Sequence, residues 1–128
     1  MNYDSCKILL VEDNQLNQKL LCLTLRRYGF VIDIADNGQD AIDMLHHNSY
    51  DLILMDIMMP VMDGHATTRK IRELEQSIGR RTIIIGLTAN TLDADRERCL
   101  QSGMDEYLVK PFNTADFFKA LEVVGISK

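Results

Sequence analysis

Short apolar runs that alternate with amphipathic stretches are the feature that most narrows what this chain can fold into. Lys7–Val11, Leu52–Met55 and Thr82–Thr88 are brief, continuous and apolar, and read as buried strands. Val31–Ala35 alternates and reads as a weaker strand at an edge, and Tyr107–Val109 as a short strand ended by Pro111. Between them lie helical patterns. Asn14–Tyr28 carries Leu16, Leu20, Leu21, Leu23 and Leu25 near helical spacing, with Gly29 as its stop. Asp36-Asn37-Gly38 is a turn and helix start, after which Ala41, Ile42 and Leu45 mark one helix face. Further helices are expected over about His65–Glu75, about Leu92–Gln101 (stopped by Gly103) and about Thr114–Val124, with Asn113 or Thr114 as the cap of the last. Strands that alternate with helices in this way imply a parallel sheet with right-handed crossovers and helices on both faces. Strands without polar alternation fit a sheet covered on both sides.

The 128 residues, 46% hydrophobic and 26% charged, match one ordinary globular domain spanning 1–128. Fourteen basic against 19 acidic residues give a net charge of −5, which excludes a generally basic nucleic-acid binder. Apolar runs such as Ile83–Leu87 fall far short of the ~20 residues of a membrane helix. The opening Met-Asn-Tyr-Asp-Ser-Cys-Lys has no secretory apolar segment. Cys6, Cys22 and Cys99 are widely spaced and odd in number, as expected of reduced thiols in a cytoplasmic protein rather than a disulfide framework or zinc site. His46 and His47 are adjacent, so on a helix they point apart and read as solvated. His65 has no partner nearby in sequence.

In open parallel sheets, ligands bind beyond the carboxyl ends of the strands. The polar residues fall there: Glu12-Asp13 after the first strand, Asp56 after the third, Thr88-Ala89-Asn90 at the fourth and Lys110-Pro111 after the fifth. Three carboxylates against one ammonium leave a surplus of negative charge. At ~4 Å and an effective dielectric constant near 20, each like-charge pair repels by about 4 kcal/mol, which a divalent cation offsets. Hard oxygen ligands without nitrogen or sulfur suit Mg²⁺, with Mn²⁺ as a substitute, and argue against zinc or copper. An aspartate can attack phosphorus to give an aspartyl phosphate. The phosphoryl oxygens then need neutralising, by the metal, Lys110, and the Thr88 hydroxyl with neighbouring backbone N–H groups.

Five segments together carry a resemblance over nearly the whole chain: Ile8–Asn14, Leu54–Pro60, Met62-Asp63-Gly64, Leu87-Thr88-Ala89 and Lys110-Pro111. The chain resembles the receiver domain of two-component response regulators. The resemblance implies a flavodoxin-like (CheY-like) doubly wound sheet of five parallel strands, order 2-1-3-4-5, with five helices on two faces. It implies Asp56 as phosphoacceptor, and a Mg²⁺ site made by Asp13, Asp56, Glu12 through water and the backbone carbonyl of Met58. Lys110 would grip the phosphoryl group, the Ala89 backbone would contact it, and Thr88 would turn inward to meet it together with Tyr107. Lys110–Pro111 would be a cis peptide bond, and Met58 and Asn90 would tune the phosphate's lifetime. The face from about Leu92 to Val124, formed by the fourth helix, fifth strand and fifth helix, would change on phosphorylation and support at most a weak dimer.

Val11–Asn17 and Gly103–Leu108 look most like receivers of hybrid histidine kinases, either stand-alone or within a longer chain. The implied partner is a histidine kinase or histidine phosphotransfer domain, without direct contact to nucleic acid or membrane. Such a domain catalyses its own phosphorylation and dephosphorylation but is not an enzyme in the usual sense. Two other readings compete. An aspartyl phosphatase would want a second acid two residues past Asp56, where Met58 stands. A pure docking module would usually lack one of Asp13, Asp56, Thr88 and Lys110, and all are present. Two positions depart from the family pattern: Ile83 in place of a frequent proline, and Gly86 in place of a more usual alanine.

Overall fold

The computed structural model describes Tyr3, residues 5–89 and residues 93–126, with residues 93–96 as backbone alone. The elements alternate strictly: β1 Lys7–Val11, α1 Gln15–Arg26, β2 Val31–Ala35, α2 Gly38–His47, β3 Leu52–Asp56, α3 Gly64–Ile78, β4 Ile83–Thr88, α4 Asp93–Gln101, β5 Glu106–Val109 and α5 Thr114–Val123. The sheet order is β2-β1-β3-β4-β5 and every pairing is parallel. The expected fold class holds, and β2 is an edge strand.

Side chains of a strand alternate between the two faces of its sheet, and here that alternation sorts the core into two layers. Ile8, Leu10, Leu52, Leu54, Ile85, Leu87 and Leu108 pack with Cys22 and Leu25 of α1 and Phe117 and Leu121 of α5. The intervening Leu9, Val11, Ile53, Met55 and Ile84 pack with Ala41 of α2, Ile71 of α3 and Cys99 of α4. Both faces of β1 and β3 are therefore apolar, which explains the runs without alternation in their sequences.

Polar side chains start four of the helices. Asn14, Asn37, Asp63 and Asn113 each accept a hydrogen bond from the backbone N–H three residues on, a cap contributing about 1 kcal/mol. One expectation needs correction. The stop placed near Glu75 lies too early: α3 runs to Ile78 and ends at Gly79, whose φ of 68° is the left-handed conformation that glycine adopts without strain. The leucines of α1 divide between its two sides. Leu16, Leu20 and Leu23 are 65%, 55% and 67% exposed, while Gln18, Cys22 and Leu25 point inward.

At the end of the sheet remote from the strand carboxyl ends, Arg72 ties three elements together. Its guanidinium donates to Glu75 Oε1 at 2.7 Å, Thr82 O at 2.6 Å, Gly103 O at 2.9 Å and Asp105 Oδ2 at 2.9 Å. Glu75 Oε2 accepts from Thr82 N–H at 2.6 Å, and Asp105 Oδ2 from Ile84 N–H at 2.9 Å. These bonds join the end of α3, the start of β4 and the α4–β5 turn. The three cysteines are buried and unpaired by disulfides, and burial pushes the Cys6 thiol up to about 11.

Gly86 explains one departure from the family pattern: a Cβ there would stand 2.5 Å from Met104 Sδ, so the glycine makes room for methionine. Gly64 is under a stricter limit. A Cβ on it would lie 2.5 Å from the backbone oxygen of Asp56 and 2.8 Å from Ile57 Cα, neither of which can swing away. Gly64→Ala should destabilise the chain by about 2–3 kcal/mol in urea unfolding at room temperature; a loss below about 0.5 kcal/mol would mean that the β3–α3 loop yields easily.

Candidate functional site

The alternation that builds the core also aims the site. Asp56 pairs in register with Leu87, whose side chain lies in the α1/α5 layer, so the carboxylate leaves the sheet on that side. Glu12 continues the parity of Ile8 and Leu10, and Lys110 that of Leu108. Three strand ends thus deliver their charged groups to one side of the rim. Glu12 is 1% and Asp56 3% exposed, while Asp13 is exposed.

Oxygens of Glu12, Asp13 and Asp56 all lie within 4.8 Å of one another. Lys110 Nζ stands 3.3 Å from Glu12 Oε1 and 3.3 Å from Asp56 Oδ1. Its backbone N–H donates to Thr88 O at 2.6 Å, and the Lys110–Pro111 bond is cis, as expected. Asp56 Oδ1 also accepts the Met58 N–H at 3.3 Å. Asp56 Oδ2 and both Asp13 oxygens accept no hydrogen bond among the described residues. Lys110 therefore reaches two of the three carboxylates, and hard oxygen atoms are left over. That donor set fits a divalent cation of the Mg²⁺ kind, and no histidine or cysteine joins it among the described residues.

The loop after Asp56 is tightly drawn. Ile57 N–H donates to Leu87 O at 3.1 Å, and Gly64 N–H returns to Ile57 O at 3.0 Å. Between them, Met62 N–H donates to Pro60 O at 2.7 Å, closing a three-residue turn on Val61. Val61 has φ of 67°, a left-handed conformation that costs a β-branched residue about 1–2 kcal/mol. Val61 and Met58 are both highly exposed at the lip of the site.

The other expected residues lie around this centre. Thr88 ends β4 and is buried, but its parity sends it to the α2/α3/α4 side of the sheet. Tyr107, half-buried on β5, packs on that same side and pairs in register with Gly86. Ala89 is exposed directly after Thr88. Asn90 and Leu92 lie outside the described residues.

Sequence reasoning missed a set of amides on α1. Asn14 N–H donates to Glu12 Oε2 at 3.1 Å and Asn17 Nδ2 to Glu12 Oε1 at 3.2 Å. Buried Gln18 donates to Glu12 O at 2.6 Å and Asp36 Oδ1 at 2.8 Å. The signal was present: positions 14, 17 and 18 share one helix face directly after the acidic pair. His65 was also missed. It is buried, with Nδ1 3.1 Å from Ser102 Oγ, a partner no local pattern indicates. His46 and His47 are exposed, as expected.

A family model described as "response regulator receiver domain" matches residues 8–122. Hybrid signal transduction histidine kinase B of Dictyostelium discoideum is 43% identical over 119 residues, covering 86% of this chain but 6% of that protein. Sensor histidine kinase RcsC of Escherichia coli is 41% identical over 116 residues, covering 91% of this chain and 12% of that protein. The chain thus spans a small part of the curated relatives it matches. Among solved structures, the receiver domain of sensor histidine kinase PA1611 from Pseudomonas aeruginosa, with a magnesium ion coordinated in its active-site cleft, is 44% identical with a TM-score of 0.82, covering 94% of this chain and 98% of that one. The receiver domain of Ssk1 from Saccharomyces cerevisiae, crystallised with the histidine phosphotransfer protein Ypd1, is 33% identical with a TM-score of 0.86, covering 94% of this chain and 88% of that one.

The crowded charge has a measurable consequence. Asp13→Asn removes one like charge without breaking a hydrogen bond. In buffer containing a chelator the variant should be more stable than the parent by about 1 kcal/mol, given solvent screening at this exposed position. Equal or lower stability in urea titration would show that the three carboxylates do not repel one another.

Proposed function

The chain belongs to the response regulator receiver domain family, and from that premise we propose that Asp56 takes a phosphoryl group from a phosphohistidine on a partner protein, with Mg²⁺ bound beside it. The observation that carries this reading is the state of Asp56: one oxygen is held by Met58 N–H and Lys110, and the other accepts no hydrogen bond among the described residues. Asp56 thus keeps an oxygen open to attack phosphorus. As its bond to phosphorus forms, the P–N bond to the donor imidazole breaks and the electron pair returns to the ring nitrogen.

Asp13, Asp56, Glu12 through water and the Met58 carbonyl would hold the cation. When bound, it supplies positive charge to a phosphoryl oxygen and relieves the repulsion among the acids. Lys110 moves its ammonium from Asp56 Oδ1 to a second oxygen of the phosphoryl group. The Thr88 hydroxyl and the Ala89 backbone meet the third, and Tyr107, on the same side of the sheet as Thr88, follows the threonine. The face built from α4, β5 and α5 then changes its affinity for partners or for a second copy in a weak dimer. Phosphorylation adds about −1.5 to −2 charge and shifts an existing equilibrium.

The donor docks beside the site. Leu16, Leu20 and Leu23 form an exposed apolar row on α1. Next to it runs a groove of about 560 Å³ lined by Leu20, Leu21, Lys110, Pro111, Phe112 and Phe117, so it adjoins the site through Lys110. Apolar surface of this kind suits a helical face carrying the phosphohistidine, from a histidine kinase or histidine phosphotransfer domain. The parent protein, where one exists, is a hybrid histidine kinase. We assign the domain, spanning 1–128, to the cytoplasm; no helix among the described residues is long and apolar enough to cross a membrane.

Incubation with acetyl phosphate and Mg²⁺ should add one phosphoryl group by intact mass. Asp56→Asn, or omission of magnesium, should abolish it. Phosphorylation that survives in Asp56→Asn would remove Asp56 from its role. We assign Met58 and Asn90 to the route of the attacking water, where they set the phosphate's lifetime. Met58→Asn puts an amide where the thioether cannot orient water, and should speed dephosphorylation several-fold when ³²P loss is followed after donor removal. An unchanged rate would dismiss Met58 from this role.

A further inference from the structure

Glu12 is the most deeply buried charge of the site, and a buried carboxylate must have hydrogen-bond donors at both oxygens. Its donors have two origins. The N-cap and first turn of α1 supply Asn14 N–H to Oε2 and Asn17 Nδ2 to Oε1. The far end of the sheet supplies Lys110, which reaches Oε1 at 3.3 Å and Asp56 Oδ1 at the same distance. A committed charge-assisted bond is about 2.7–2.9 Å, so the ammonium is divided between two acids. Lys110 is also the donor that leaves when the phosphoryl group claims it, a point that rests on the proposed phosphotransfer to Asp56.

When Lys110 goes, Asn17 is the donor left on Oε1. The orientation of its amide is not arbitrary: a carboxylate only accepts, so the face turned to it must be the nitrogen. We infer that Asn17 is a positioning residue that keeps the Glu12 carboxylate in its metal-binding geometry whether or not Lys110 is engaged with it. Gln18 does the corresponding work on the backbone, fixing the Glu12 carbonyl against Asp36. Asn17 makes no hydrogen bond to Asp56 among the described residues. Its effect passes through Glu12, and it is read first in the metal equilibrium of the unphosphorylated chain.

The test is a Mg²⁺ titration of the whole chain without phosphodonor, followed by backbone amide chemical shifts, on the parent and on Asn17→Ala, Asn17→Leu and Asn17→Gln. Leucine favours helix more than asparagine does and has no donor, so Asn17→Leu keeps α1 while removing the bond. The alanine and leucine variants should raise the Mg²⁺ dissociation constant by about 3–10-fold, with melting temperatures in chelator unchanged. Asn17→Gln, which restores a donor, should stay within about twofold of the parent. Alanine and leucine variants that bind Mg²⁺ like the parent would overturn the inference alone. So would weakening that tracks a fall in melting temperature across all three variants. A parent chain that binds no Mg²⁺ would instead bring down the reading of the metal site, and this inference with it.

Discussion

All strands of the sheet run in one direction, and both of its faces are covered. The first condition gathers every carboxyl end on a single rim. The second makes each of those ends the point where an apolar run meets polar chain, so a side chain placed there is half in the core. Glu12 and Asp56 are held almost without solvent because Leu9–Val11 and Leu52–Met55 are fully buried beneath them. Water is replaced around these acids by Lys110 and by backbone and side-chain N–H groups. The charge of the rim is thus buried by force of the fold, and the core stabilises it from below.

The twofold rhythm of strands adds a second level of order. It sends Glu12, Asp56 and Lys110 to the α1/α5 side, and Thr88 and Tyr107 to the side of α2, α3 and α4. The charged groups and the Thr88–Tyr107 pair are thereby divided between the two faces, with the sheet as the partition. Helix α1 lies close enough to hold Glu12 by three residues of one face. On the opposite face, His65 of α3 reaches Ser102 just beyond α4.

The sequence made legible whatever depends on short-range periodicity. β1 and β2 fall on the residues expected, and β3, β4 and β5 differ by one residue at one end; for β1, β3 and β4 this is because a strand buried on both faces is an uninterrupted apolar run with sharp edges. The acids and the lysine were found by asking where such runs stop. On α1, leucines near helical spacing do not by themselves say which of them face the sheet: Leu25 does, and Leu16, Leu20 and Leu23 do not. There Gln18 displaced leucine from an inward position because Glu12 O and Asp36 needed donors. The extent of α3 escaped notice because its last turn contributes little to the core and is held by Arg72 and Glu75, whose partners lie in β4 and before β5. Such pairings are set by tertiary contact and leave no local trace.

The Arg72 knot sits at the pole opposite Asp56. It binds Gly103 and Asp105, immediately after α4, and Arg81 adds a second ion pair to Asp105 at 2.7 Å. Cys99, in the last turn of α4, is fully buried in the layer that α4 shares with α2 and α3. The tail of α4 is thereby moored twice, by charge through the turn that follows it and by burial through its own last turn.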